Sequence, residues 1–194
     1  LDEQRGVVQN EKRQGENRPQ GRLWETVMRG SFPVGHPYHW LPIGSMEDLN
    51  AASLDDVKEW FRTYYGAANA VLVLAGDIDV ATAREKAQRY FGHIPAGPAL
   101  TRPGRWIAAR TESTRAVMFD QVAQPYWYRF WNIPPEGAAE ADLLGIAGYI
   151  LGGGKTSRLY ERLVYRERLA DSASAGPSTF EIAGLFAMTA AVKS

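Results

Sequence analysis

The sequence has no cysteine, which excludes disulfides, thiolate nucleophiles and cysteine-held zinc together. It has no surplus charge either: 22 basic residues face 22 acidic ones, for a formal net charge of +0. A nucleic-acid partner calls for a basic excess to neutralise phosphates, so none is expected. No apolar run approaches the ~20 residues of a membrane span, and nothing at the start resembles a signal peptide. That second absence excludes little. The chain begins at Leu1 without Met, inside a helical pattern, as expected of a trimmed piece.

What is present reads as globular. At 194 residues, 45% hydrophobic and 23% charged, the chain can bury a core in one large domain or two small ones. Residues 2–17 are polar and form a helix with a narrow buried stripe, and a second helical stretch covers 21–30. Residues 31–43, with three prolines and two histidines, form an ordered loop. The clearest helix is 53–65: Ser53 and Asp56 make a capping box, and Val57, Trp60, Phe61 and Tyr64 mark one buried face. Residues 70–75 (AVLVLA) predict a short apolar strand, and 79–91 another helix closed by Gly92.

Pro95, Gly97, Pro98 and Pro103 mark residues 95–103 as a linker, with a domain boundary near 104. Beyond it, 115–122 and 126–133 predict strands, 136–151 a long helix, and 157–169 a second helix after Gly152-Gly153-Gly154. Strands at 172–175 and 186–192 complete the pattern. Helices and strands mix in both halves, which makes the fold class α+β.

Several groups of residues invite chemistry. Gly154-Lys155-Thr156 suggests a phosphate loop, but the pattern needs a glycine at Tyr149 and a preceding strand instead of a helix. An NTP-binding module is thus a poor fit. His36 and His39 flank Pro37, which forbids a shared helical face, so they read as structural loop histidines; His93 reads as a surface residue. The aromatic run 126–131 (YWYRFW) reads as a strand buried on both faces, or as an edge that receives an extended peptide. Glu3, Glu11 and Glu16 are, by composition alone, ordinary helix carboxylates.

The run Gln4-Arg5-Gly6-Val7-Val8-Gln9-Asn10-Glu11 changes the standing of one of them. It resembles the second metal-binding helix of the pitrilysin-type zinc metallopeptidases (inverted zincins, peptidase M16). Gly35-His36-Pro37-Tyr38, residues 43–49 (IGSMEDL), residues 69–77 (NAVLVLAGD), residues 90–95 (YFGHIP) and Leu151-Gly152-Gly153-Gly154 with Ser157-Arg158-Leu159 resemble the same family in order and spacing. The resemblance covers nearly the whole chain.

It implies ferredoxin-like or processing-peptidase-like αβ units, with antiparallel or mixed sheets and helices on one face. Residues 1–103 would end a first, zinc-bearing unit and 104–194 begin a second one. Zinc in the full-length protein would be held by two histidines of a His-x-x-Glu-His motif and by a distant glutamate, here Glu11. Gln4 would stand where relatives carry a supporting glutamate, keeping hydrogen bonding but losing charge. No His-x-x-Glu-His occurs in the sequence, and the resemblance implies that it lies before Leu1. The chain alone is therefore expected to hold no zinc and to cleave nothing, since a zinc hydrolase needs three protein ligands.

The parent is expected to hydrolyse peptides or unfolded proteins in an enclosed chamber. Relatives carry an Arg and a Tyr seven residues later, at positions aligned with Val164 and Asp171 here, so an M16-type partner subunit or a homodimer is expected to supply them. A non-catalytic scaffold is the rival reading. A periplasmic location is implied by resemblance to bacterial relatives alone.

Overall fold

The computed structural model describes residues 1–193. Among these, the helices are α1 (Asp2–Glu16), α2 (Leu23–Ser31), α3 (Met46–Ala51), α4 (Leu54–Tyr64), α5 (Val80–Phe91), α6 (Ala139–Gly152) and the short α7 (Arg158–Tyr160). The strands are β1 (Tyr126–Ile133), β2 (Ala170–Thr179) and β3 (Gly184–Val192). The chain divides into two compact units: residues 1–7 with 45–102, and residues 8–44 with 103–194. Helix α1 contributes residues to both.

The first unit is helical and held largely by local chemistry. The Ser45 hydroxyl accepts from the Asp48 amide at 3.0 Å and starts α3. Ser53 and Asp56 form the expected capping box at the head of α4: Oγ accepts from the Asp56 amide at 3.2 Å, and the carboxylate accepts from the Ser53 amide at 2.7 Å. Asp79 caps α5, accepting from the Thr82 amide at 2.9 Å and from its hydroxyl at 2.7 Å. Each side-chain oxygen satisfies a backbone donor that the first helical turn leaves unpaired.

Two expectations fail in this unit. The face of α4 predicted to be buried is not: Trp60 and Phe61 are 58% and 51% exposed, and their rings meet Tyr64 and Tyr65 one turn on, at 4.2 and 4.4 Å. Residues 70–75 form no strand, and Val71 and Val73 are 91% and 79% exposed. A strand exists only through its ladder, and no described residue pairs with this one. Residues 115–122 fail in the same way in the second unit.

The second unit holds the core. Val27, Met28 and Phe32 of α2 and its C-cap pack with Ala108, Ala183 and Leu185, flanked by Leu23, Tyr38, Leu41, Phe130 and Phe180. Among the described residues the sheet is antiparallel in the order β1-β3-β2, with Tyr126 opposite Ala191 and Ser174 opposite Thr189. Strand β2 is longer than the predicted 172–175 and carries a register irregularity between Ala170 and Ser172.

Helix α6 lies on β2 through two glycines. A Cβ on Gly152 would come within 2.0 Å of the Ala175 amide nitrogen, and one on Gly148 within 2.8 Å of the Gly176 Cα. Close helix–strand packing is what those glycines permit. The opposite side of α6 leaves Leu143, Ile146, Tyr149 and Ile150 exposed. The single helix predicted over 157–169 is instead α7 followed by a π-helical turn, Glu161–Arg166, and Arg168 ends it at φ 55°. The mixed α and β content, with α6 packed on one side of an antiparallel sheet, is the α+β class expected.

Candidate metal-ligand helix

Helix α1 has two sides with different chemistry. Arg5, Val8, Gln9, Lys12 and Glu16 are at least partly buried, and their i, i+3/i+4, i+7 spacing makes one stripe. Gln4, Val7 and Glu11 are exposed and form another. Gln4 and Glu11 are seven residues apart, two turns of helix, and so project from the same side.

Two cations fix the buried stripe. The Arg5 guanidinium donates to three carbonyl oxygens at the end of α3 and just past it: Leu49, Asn50 at 3.1 Å and Ala52 at 2.8 Å. It thereby satisfies acceptors that a helix C-terminus leaves open. Lys12, only 7% exposed, pairs with Glu16 at 2.8 Å and Glu25 of α2 at 3.8 Å. Glu25 also holds Arg29 at 2.9 Å. A buried ammonium requires such partners. With Lys12 turned inward, its neighbour Glu11 is turned to solvent.

The histidines are committed elsewhere. His36 is fully buried; its Nδ1 accepts from the Tyr38 amide at 3.0 Å, so Nε2 carries the proton donated to the Trp106 carbonyl at 2.9 Å. Phe32, Tyr38 and Trp106 enclose the ring at centroid distances of 4.5–5.6 Å from their neighbours in the cluster. His39 Nδ1 bonds the Phe32 carbonyl at 2.8 Å, and His93 is exposed. Neither loop histidine has the geometry of a ligand, which agrees with their structural reading.

Near the end of α1, Glu16, Asn17, Pro19, Arg22, Phe119, Asp120 and Gln121 line an open polar groove of about 770 Å³. The Asp120 carboxylate accepts from the amides of Gln20 and Gln121, both at 2.7 Å, and these bonds hold its pKa below the usual value. Tyr128, which donates its hydroxyl proton to Gln20, has its pKa raised by burial and by Tyr126. Val164 lies within the π-helical turn, and Asp171 accepts from Gln124 Nε2 at 3.1 Å with Lys193 at 3.8 Å.

Among the described residues no three His, Cys, Asp or Glu side chains come together as a metal site. One exposed carboxylate on a helix does not fit zinc by itself. Sequence reasoning singles out Glu11 and Gln4 as candidates but not the Arg5 clamp or the Lys12 network beside them. The signal was there: Arg5, Lys12 and Glu16 fall seven and four residues apart, one stripe of a helix.

Residues 51–194 match the family model described as the peptidase M16 inactive domain. The chain belongs to the peptidase M16 family. Glu11 and Gln4 precede the matched residues, so the match does not bear on their roles. The chain is 29% identical over 174 residues to a Helicobacter pylori protein named zinc protease PqqE, covering 88% of this chain and 39% of that protein. It is 24% identical over 135 residues to another from that organism, named non-peptidase homolog YmxG, covering 67% and 30%. It thus spans about two fifths or less of the curated relatives it matches most clearly.

Solved structures agree. A protease from Helicobacter pylori superposes with a TM-score of 0.79 at 27% identity, over 97% of this chain and 46% of that one. A peptidase M16 inactive domain from Pseudomonas fluorescens gives 0.82 at 18% identity, over 99% and 46%, a likeness of fold. Among the described residues no helix is long and apolar enough to cross a membrane.

Proposed function

We propose that this M16 chain is part of a zinc-dependent metalloendopeptidase that hydrolyses peptides or unfolded proteins in an enclosed chamber. Within it, Glu11 supplies one zinc ligand and Gln4 supports the site. The observation that carries this reading is the orientation of α1. Arg5 and Lys12 occupy its buried stripe, and Glu11 is left exposed on the same side as Gln4. Zinc, when bound, would acidify a water and polarise the peptide carbonyl. The rest of the ligand set belongs to a segment with both histidines, outside this sequence.

On that reading the chain alone binds no zinc tightly and cleaves no peptide. Stoichiometric zinc in the isolated chain after dialysis would overturn it. In the polypeptide that carries the histidine motif, Glu11→Gln should lower zinc content at limiting metal and leave the fold intact. Unchanged zinc content removes Glu11 from the site. The division into homologous units at 103/104, a partner subunit or homodimer that supplies the Arg and Tyr absent at Val164 and Asp171, and a periplasmic location belong to the same proposal. Full activity of the full-length protein alone would count against the partner.

A non-catalytic scaffold or partner subunit is the second reading, favoured by the relative named a non-peptidase homolog. The coding sequence before Leu1 separates the two. An intact His-x-x-Glu-His supports the peptidase, and its loss supports the scaffold.

A further inference from the structure

The π-helical turn Glu161–Arg166 is clasped by three side-chain pairs in succession, each joining residues five apart. The Tyr165 ring meets Tyr160 edge-on, with centroids 5.3 Å apart. Arg166 donates to the Glu161 carboxylate at 2.5 Å, and Arg162 to the Glu167 carboxylate at 2.7 Å. The main chain follows the same spacing where the turn closes, as the Glu167 amide donates to the Arg162 carbonyl at 2.9 Å.

That spacing belongs to one kind of helix. At 3.6 residues per turn, side chains five apart on an α-helix point about 140° away from each other. Those three and four apart are the neighbours there. In a π-helix the backbone bond itself joins residues five apart and brings them one above the other. All three pairs therefore form in the π turn, and an α-helix would break them together. They are local, lying between Tyr160 and Glu167, so they do not depend on any other part of the fold.

The sequence itself favours the other form. Leu159, Glu161, Arg162, Leu163 and Arg166 are good α-helix formers, and no proline or glycine occurs from 157 to 169. Just upstream the backbone is still α-helical, for the Glu161 amide donates to the Ser157 carbonyl, four residues back, at 2.9 Å. Just downstream, Arg168 with its left-handed backbone absorbs the change before β2, and the Leu169 amide donates to the Leu163 carbonyl at 2.8 Å. Two helical forms thus compete over the same residues, and the clasps choose between them. Both ion pairs are exposed, so each is weak and is screened by salt.

We propose that residues 160–167 are a conformational switch set by ionic strength, in which the three pairs hold the π form and loosening them returns the segment to an α-helix. The switch changes what stands over Tyr160. In the α form that place goes to Val164, four residues on; in the π form it goes to Tyr165. A branched aliphatic and a phenol are thereby exchanged on one side of the helix that leads into β2.

The hydrogen-bond partner of the Glu167 amide reads the switch directly, through NMR couplings across the bond in the whole chain. At low salt it should couple to the carbonyl of Arg162. In about 1 M salt, where the screening length is about 3 Å, a coupling to Leu163 should appear. Glu161→Gln with Glu167→Gln should shift the partner toward Leu163 at low salt, and adding Tyr165→Ala should complete the shift. These positions are exposed, and circular dichroism checks that the fold survives. Glu161→Arg with Arg166→Glu exchanges the charges of one pair and should keep the Arg162 coupling, which a role for glutamate in helix propensity alone would not restore. A coupling to Leu163 in the unaltered chain at low salt overturns the proposal. So does a coupling to Arg162 that persists in the triple variant, a charge-exchanged chain that behaves like the double glutamine variant, or the loss of both couplings in a frayed turn.

Discussion

Strand β3 and residues 70–75 are both short apolar segments, yet one is the spine of a sheet and the other a bare extended chain. Leu185 in β3 is fully buried, while Leu74 is 49% exposed. Composition does not separate them, since both are rich in Val, Leu and Ala. Partners do. Strand β3 has β1 on one side and β2 on the other, so every residue gains ladder bonds and cross-strand packing. What is measured as strand preference is mostly fit to such a surface, and no strand among the described residues offers one to 70–75.

The largest contrast should come from truncating one leucine in each. Leu185→Ala should cost about 3 kcal/mol, for lost transfer and a residual cavity. Leu74→Ala should stay within about 0.5 kcal/mol, as at other exposed sites. Denaturant melts of the two variants measure the difference directly. A large loss at Leu74 would mean that the segment is covered in solution.

Next comes the contact between α6 and β2. Gly152→Ala forces a methyl into the Ala175 backbone and should cost about 2 kcal/mol. Gly145→Ala meets nothing within 4 Å and should stabilise by about 0.5 kcal/mol, through helix propensity. If both cost the same, α6 does not sit on β2 as described.

In the helical unit, where local bonds do most of the holding, Ser53→Ala should cost about 1 kcal/mol. Hydrogen exchange in the first turn of α4 should report it, with no effect on the amides of β3.

The smallest effect is pH. Asp56 and Asp79 are exposed caps whose pKa values lie below the usual 3.8. The Ser53 amide and hydroxyl lower the first, and the Thr82 hydroxyl and amide lower the second. A depressed carboxylate stabilises the fold above its unfolded pKa, and that contribution fades as pH falls through the folded value. Acid should therefore loosen α4 and α5 only below about pH 4. Asp79→Asn should weaken the acid dependence of α5 while keeping a cap.

The sequence made local features legible and partnered ones much less so. The capping box at Ser53 and Asp56 needs three residues of context and was readable outright. The helix α1 was equally plain, and Glu11 on it only through resemblance, because nothing around it differs from Glu3 or Glu16. The burial predicted for Trp60 and Phe61 and the strand predicted at 70–75 fail for a common reason. Periodicity predicts which side of an element wants cover, and cover is a property of what lies opposite. The π-helical turn after α7 has no periodic signature distinct from an α-helix, so the sequence predicts one continuous helix there.

That turn has a consequence for engineering. Glu167 donates its amide to the Arg162 carbonyl, five residues back, at 2.9 Å, so the turn is wider than the α-helix that a sequence alignment assumes. Position 164 lies inside it. An arginine grafted there to replace Val164 would leave the backbone in a different direction from one on a regular helix. On the proposed alignment of Val164 and Asp171 with the Arg and Tyr of relatives, placing such a pair here is a problem of helix phase as well as of residue identity. A graft would need to regularise the turn first; Arg168→Gly would not do so, since glycine suits the left-handed backbone at φ 55° that already ends it.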